Sequence, residues 1–177
     1  MQFGSKEAEN ERFEHYTTKT YRKTASLIAN SCKSIALLAK EKQKSNLDLA
    51  EMSFEFGKNL GIAFQLIDDV LDFTSQSDNL GKPGSGADLR LGLATAPVLF
   101  AAGEFPQLNV MIMRRFSNEG DVKKAFEYVM KSKGIEETRF LAAKYCQNAE
   151  KILDKLHHSN EIDHLRGIVK SVIDRKK

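Results

Sequence analysis

Apolar residues recur at three- and four-residue intervals over most of the chain, which is the period of the α-helix. The pattern predicts a first helix over residues 7–39 and a second from residue 47 to 73, with Ser45 and Asp48 placed as its N-cap and N3 residues. Five further helices are predicted over residues 95–102, 108–115, 121–132, 135–156 and 160–175. No segment shows the alternation typical of strands, so we predict an all-α protein.

The helix-breaking residues are concentrated in the middle of the chain. All three prolines and five of the eleven glycines lie between residues 81 and 106. Residues 75–88 are therefore predicted to form a polar loop that contains Lys82 between glycines. A lysine and several backbone N–H groups suit a phosphate, but the loop lacks the Walker A spacing, and a solvated loop is the alternative.

The second predicted helix carries a polar stripe on an otherwise apolar segment. Gln65, Asp68, Asp69 and Asp72 fall at i, i+3, i+4 and i+7, so they share one face. Like charges at this spacing repel, and no Lys or Arg lies within one turn on either side. Hard carboxylate oxygens without His or Cys suit Mg²⁺, which commonly bridges protein carboxylates to substrate phosphates. A solvated acidic face is the alternative interpretation.

Two glycines extend this stripe towards the start of the helix. Gly57 and Gly61 allow close approach of another backbone or of a ligand, and close packing of a neighbouring helix explains them equally well.

Composition and charge narrow the class of protein. The 177 residues are 41% hydrophobic and 29% charged, which indicates one ordinary globular domain. The 27 basic and 24 acidic residues are interspersed, so no nucleic-acid-binding surface is indicated. The longest apolar runs are shorter than a membrane span requires, and the two cysteines have no metal-ligand spacing.

Several separated motifs together resemble the C-terminal half of the trans-polyprenyl diphosphate synthases. They are Lys23–Ile28, Gly57–Phe73, Gly81–Pro83, Ala87–Leu89 and Ala94–Pro97. Residues 68–72 resemble the second aspartate-rich motif of that family. Residues 111–122 narrow the resemblance to the mitochondrial synthases that make the ubiquinone side chain.

The resemblance implies a class I isoprenoid synthase fold, a bundle of antiparallel helices. In that family Mg²⁺ links aspartates to an allylic diphosphate, and isopentenyl diphosphate adds one five-carbon unit per cycle. The implied partners are these two diphosphates and either a second copy of the chain or a second synthase subunit. The implied location is mitochondrial, with no nucleic acid and at most peripheral membrane contact.

The resemblance also assigns residue roles by position. They are Mg²⁺ ligands (Asp68, Asp69, Asp72), ligands of the allylic diphosphate (Lys23, Lys82) and catalytic residues near the diphosphate and the departing proton (Lys23, Thr24, Gln65).

The sequence departs from the family in three places. The first aspartate-rich motif and the paired arginine that follows it are missing, since Asp68-Asp69 is the only Asp-Asp pair. Arg114-Arg115 lies in a different context and receives no transferred role. Leu93 stands where many members have a lysine. We therefore expect these residues to form part of a longer synthase, without its N-terminal helices, and the isolated chain to have little or no activity.

Other functions remain open at this point. The chain is alternatively a non-catalytic half-length protein that binds a synthase subunit as a regulatory or assembly partner. A terpene cyclase or a plain helical scaffold is less favoured, because Lys23–Ala25 and the Phe-Gln pair before the aspartates resemble the chain-elongating family.

Overall fold

The computed structural model describes residues 6–39, 47–75 and 86–175, and within these ranges it is helical without strands. The helices are α1 Lys6–Thr20, α2 Ser26–Ala39, α3 Leu47–Thr74, α4 Ala87–Arg90, α5 Ala96–Glu104, α6 Gln107–Met113, α7 Asp121–Lys131, α8 Gly134–Leu153 and α9 Asn160–Ile173. The all-α prediction is confirmed. Within the same ranges, no helix combines the length and the hydropathy needed to cross a bilayer.

The structure differs from the predicted elements in two places. A π-helical segment, Tyr21–Ala25, separates α1 from α2 where one continuous helix was predicted. The predicted polar loop over 75–88 is wrong at its C-terminal end, because α4 begins at Ala87 and buries Leu89. The proposed N-cap Ser45 lies outside the described residues.

By their internal contacts the residues divide into two compact units, and the single-domain assignment stays a prediction. Among the residues that the structure describes, the first unit comprises 6–17, 66–75 and 86–140, and the second comprises 18–39, 47–65 and 141–175. The core of the first is built mainly from α5, α6 and α7. Its buried residues are Phe73, Leu89, Val98, Ala101, Ala102, Leu108, Met111, Phe116, Ala125 and Val129.

In the second unit the π-helical segment and α2 pack closely on α3 at two glycines. A Cβ added to Gly61 would lie 2.6 Å from the Cα of Ala25, and one added to Gly57 would lie 2.8 Å from the Cα of Ala29. Both alanines are fully buried. Of the explanations left open by the sequence, close packing of a neighbouring helix is therefore the one that the structure shows.

Arg114 has a structural partner in the first unit. Its Nε and Nη2 atoms donate to the two carboxylate oxygens of buried Asp121 at 2.6 and 2.5 Å. The hydrogen bond from Arg114 lowers the pKa of the Asp121 carboxyl below its ordinary value of 3.8. This ion pair joins the end of α6 to the start of α7. Arg114 therefore has a structural role here that requires no bound diphosphate.

Replacement of Gly61 by alanine tests the close helix packing. We expect Gly61→Ala to lower the free energy of unfolding by about 1–3 kcal/mol, because the backbone at Ala25 must move away to accommodate the methyl group. Urea unfolding followed by circular dichroism at the helical band measures the change.

Gly167→Ala in α9 is the matched control, since no atom lies within 4 Å of its added Cβ. Alanine has the higher helix propensity, so this variant should gain up to about 1 kcal/mol. An equal increase in the free energy of unfolding in Gly61→Ala and Gly167→Ala would contradict the close helix packing at Gly61.

Candidate active site

The three aspartates of the polar stripe all lie on the C-terminal half of α3, in different environments. Asp68 is exposed, Asp69 is only 2% exposed, and Asp72 is half-buried. The residues between and beside them are buried and apolar: Leu66, Ile67, Val70, Leu71 and Phe73. A carboxylate inside such a segment loses hydration and needs hydrogen-bond donors or a cation in compensation.

Asp69 receives a hydrogen bond from an aromatic side chain of α1. The hydroxyl group of Tyr16 donates to Oδ2 of Asp69 at 2.5 Å, a length typical of a bond to an ionised acceptor. Tyr16 itself is only 9% exposed. The two residues are 53 positions apart in the chain, so this contact depends on tertiary packing.

Asp72 fixes the start of α4. Its Oδ1 accepts the backbone N–H of Ala87 at 2.9 Å, and its Oδ2 accepts that of Asp88 at 3.1 Å. Its backbone carbonyl also accepts the N–H of Gly86 at 3.1 Å. The first N–H groups of a helix have no partner within the helix. Asp72 therefore supplies the missing acceptors, which is why a helix starts where the sequence predicted a loop.

The donor set of the three aspartates fits a hard divalent cation that also binds phosphate. In the described part of the chain, no three His, Cys, Asp or Glu residues converge as a complete metal cage. Mg²⁺ needs no such cage, because one or two carboxylates with water and phosphate oxygens complete its six ligands. A carboxylate has about four lone-pair sites, so the hydrogen bonds at Asp69 and Asp72 are compatible with coordination.

The second unit brings together two other residues of the predicted site. The hydroxyl group of Thr24 donates to Oε1 of Gln65 at 2.8 Å, and Gln65 is buried. Thr24 and the exposed Lys23 both lie in the π-helical segment. Such segments are frequent at functional sites. The i→i+5 hydrogen bonding is a deviation that the regular helical period of the sequence did not reveal.

The structure thus locates six of the seven predicted site residues. Lys82 lies outside the described residues, and its contact with a diphosphate stays a prediction. Tyr16 was missed by the sequence analysis, because no short-range pattern connects it to Asp69.

A sequence profile described as polyprenyl synthetase matches residues 1–129. The chain belongs to the polyprenyl synthetase family. The mouse all trans-polyprenyl-diphosphate synthase is 55% identical over all 177 residues, which are 42% of its own length. The mitochondrial solanesyl-diphosphate synthase 1 of rice is 44% identical over 183 aligned residues, covering all of this chain and 41% of that protein. The chain therefore spans less than half the length of these relatives.

Solved structures of polyprenyl synthetases share the fold. An apo medium/long-chain prenyl pyrophosphate synthase from Arabidopsis is 41% identical with a TM-score of 0.80, and the match covers 100% of this chain and 60% of that one. A polyprenyl synthase from Caulobacter crescentus, complexed with calcium and isoprenyl diphosphate, is 30% identical with a TM-score of 0.76. The match covers 92% of this chain and 49% of that one. The predicted class I isoprenoid synthase fold is confirmed.

Removal of the Asp72 carboxylate should release the start of α4. In Asp72→Ala, the N–H groups of Ala87 and Asp88 lose an ionised acceptor, so we expect their amide hydrogen exchange to accelerate on the order of tenfold or more. Exchange measured by NMR or mass spectrometry reports the change. Asp68→Ala is the control, because it removes an exposed carboxylate from the same helix; unchanged exchange in Asp72→Ala would contradict the assigned role.

Proposed function

We propose that these residues form part of a trans-prenyltransferase, which adds isopentenyl diphosphate to an allylic diphosphate and makes a long-chain polyprenyl diphosphate. The supporting observation is the arrangement of the three aspartates on α3. Two of them are held by hydrogen bonds, from Tyr16 and from the start of α4, and Asp68 is exposed. Family membership supports the same reaction.

The reaction is a displacement at carbon. The bond between the allylic carbon and its diphosphate oxygen breaks, the double bond of isopentenyl diphosphate supplies the electrons for a new carbon–carbon bond, and one proton leaves the product. Negative charge grows on the departing diphosphate as its bond breaks. Groups that stabilise this charge lower the barrier, and preorganised electrostatic groups commonly contribute the largest part of catalysis.

Asp68, Asp69 and Asp72 would hold the divalent cation, which we propose to be Mg²⁺. The Caulobacter synthase was crystallised as a complex with calcium and isoprenyl diphosphate, which supports a divalent cation together with a diphosphate. When bound, Mg²⁺ supplies positive charge that stabilises the departing diphosphate. Because the aspartates lie within about two turns of one helix, the protein presents its oxygen donors on a rigid element.

Basic and polar residues would bind the diphosphate from the protein side. We assign Lys23 and Lys82 to the allylic diphosphate, where each ammonium donates hydrogen bonds to phosphate oxygens. The bond from Thr24 fixes the amide plane of Gln65. A fixed amide keeps its donor and acceptor atoms in place near the diphosphate and the departing proton.

The product would serve the ubiquinone side chain. The name of the rice relative supports a mitochondrial location. The resemblance of residues 111–122 to subunit 1 of decaprenyl diphosphate synthase supports the biosynthetic role.

Incorporation of labelled isopentenyl diphosphate tests the proposed function. The wild-type assay uses the endogenous polypeptide that carries these residues, captured with an antibody to residues 123–151. The variants are assayed in a tagged version of the same polypeptide. We expect labelled long-chain polyprenyl diphosphate in the presence of Mg²⁺. Asp68→Asn should reduce the rate about 100-fold or more, because it removes a charge from the cation site.

Asp163→Asn is the matched control for this assay. It makes the same change at an exposed aspartate of α9, and its rate should equal that of the wild type. Absence of incorporation by the wild-type protein, or equal rates for Asp68→Asn and wild type, would contradict the proposed function.

A second candidate role is association with another synthase polypeptide through the outer face of α2. This face consists of Leu27, Ile35 and Leu38, which are 75%, 68% and 74% exposed. The opposite face of α2, which packs on α3, carries the buried Ala29 and the half-buried Ile28. Burial of a large aliphatic side chain stabilises a complex by about 1.5–3 kcal/mol. Since the chain spans 42% of the mouse relative, further helices of a synthase are the proposed occupant.

Charge on the outer face of α2 should prevent this association. The measurement is co-purification of the 177-residue chain with a full-length synthase of the family. We expect Leu27→Glu with Leu38→Glu to abolish it and Asp68→Asn to leave it unchanged. Leu91→Glu is the control, since Leu91 is also 68% exposed. No co-purification of the wild-type chain, or equal recovery of all variants, would contradict this role.

A further inference from the structure

Tyr16 donates a hydrogen bond to Asp69, which is one of the three aspartates assigned to the cation. Asp69 lies on α3 between Asp68 and Asp72, and its carboxylate is almost completely buried. A buried carboxylate loses hydration, so each hydrogen bond that it accepts lowers the cost of keeping it charged in place. The hydroxyl group of Tyr16 supplies such a bond to Oδ2 at 2.5 Å.

Tyr16 is itself fixed by aromatic packing. Its ring lies 5.7 Å from the ring of Phe13, centroid to centroid, and Phe13 lies 4.9 Å from Phe100 of α5. The turn of α1 before Tyr16 also contacts α6, because Arg12 donates a hydrogen bond to the side-chain oxygen of the buried Asn109. The hydroxyl group of Tyr16 is therefore presented to Asp69 by a rigid group of side chains.

We propose that Tyr16 is a positioning residue for cation binding, and this inference rests on the proposed function. Tyr16 would touch neither cation nor substrate; it would orient the carboxylate of Asp69, one of the three aspartates assigned to the cation. Ligand carboxylates in metal sites are commonly supported by such hydrogen bonds, and loss of a supporting bond typically weakens metal binding about 10- to 100-fold.

Tyr16→Phe tests the inference, since it removes the hydroxyl group and keeps the ring that packs on Phe13. The readout is the dissociation constant of Mg²⁺ with inorganic diphosphate, measured by calorimetry on the tagged polypeptide used in the incorporation assay. We expect the affinity to fall about 10- to 100-fold with the helical circular dichroism spectrum unchanged. Tyr128→Phe is the matched control: Tyr128 is also half of an aromatic pair, 4.9 Å from Phe105, and its removal should not change the affinity.

A double-mutant cycle separates positioning from general stabilisation. If Tyr16 acts through Asp69, then Tyr16→Phe in an Asp69→Asn background should cause no further loss. Full additivity, or wild-type affinity in Tyr16→Phe, would overturn the inference while leaving the proposed function intact. A wild-type polypeptide from the incorporation assay that does not bind Mg²⁺ with diphosphate would overturn the proposed function and this inference with it.

Discussion

Three carboxylates within two turns of one helix impose the main constraint on this structure. The α3 segment that carries them is otherwise buried and apolar, so each charge needs compensation from outside the helix. Tyr16 supplies a donor to Asp69, and the backbone of Ala87 and Asp88 supplies two to Asp72. The position of α1 in its unit and the start of α4 both follow from this requirement.

The same helix also determines how α2 lies. Gly57 brings the α2 backbone close to α3 at Ala29, and Gly61 does the same for the π-helical segment at Ala25. The close approach is accompanied by the hydrogen bond from Thr24 to Gln65 at one end. Leu27, Ile35 and Leu38 of α2 are exposed on its outer face, where the association with further synthase helices is proposed.

The hydrophobic period was sufficient to predict the helices, because helix bounds depend mainly on local sequence. The period placed α3 over residues 47–73 and the structure has Leu47–Thr74. The aspartate spacing predicted a shared face, and the structure gives Asp68, Asp69 and Asp72 different exposures on α3. The helix at Ala87 depends on a partner distant in sequence, as does the bond between Tyr16 and Asp69, and the π-helical turn at Tyr21–Ala25 departs from the regular helical period. No local pattern contains that information.

The central claim is that the α3 aspartates bind a divalent cation together with diphosphate. A crystal structure of the chain with Mn²⁺ and inorganic diphosphate tests it most directly, since Mn²⁺ shares the oxygen preference of Mg²⁺ and is visible by anomalous scattering. The account predicts an anomalous peak within about 2.3 Å of a carboxylate oxygen of Asp68 or Asp69, with a diphosphate oxygen as a further ligand. Diffraction data with no peak at these carboxylates, or with diphosphate bound elsewhere, would contradict it.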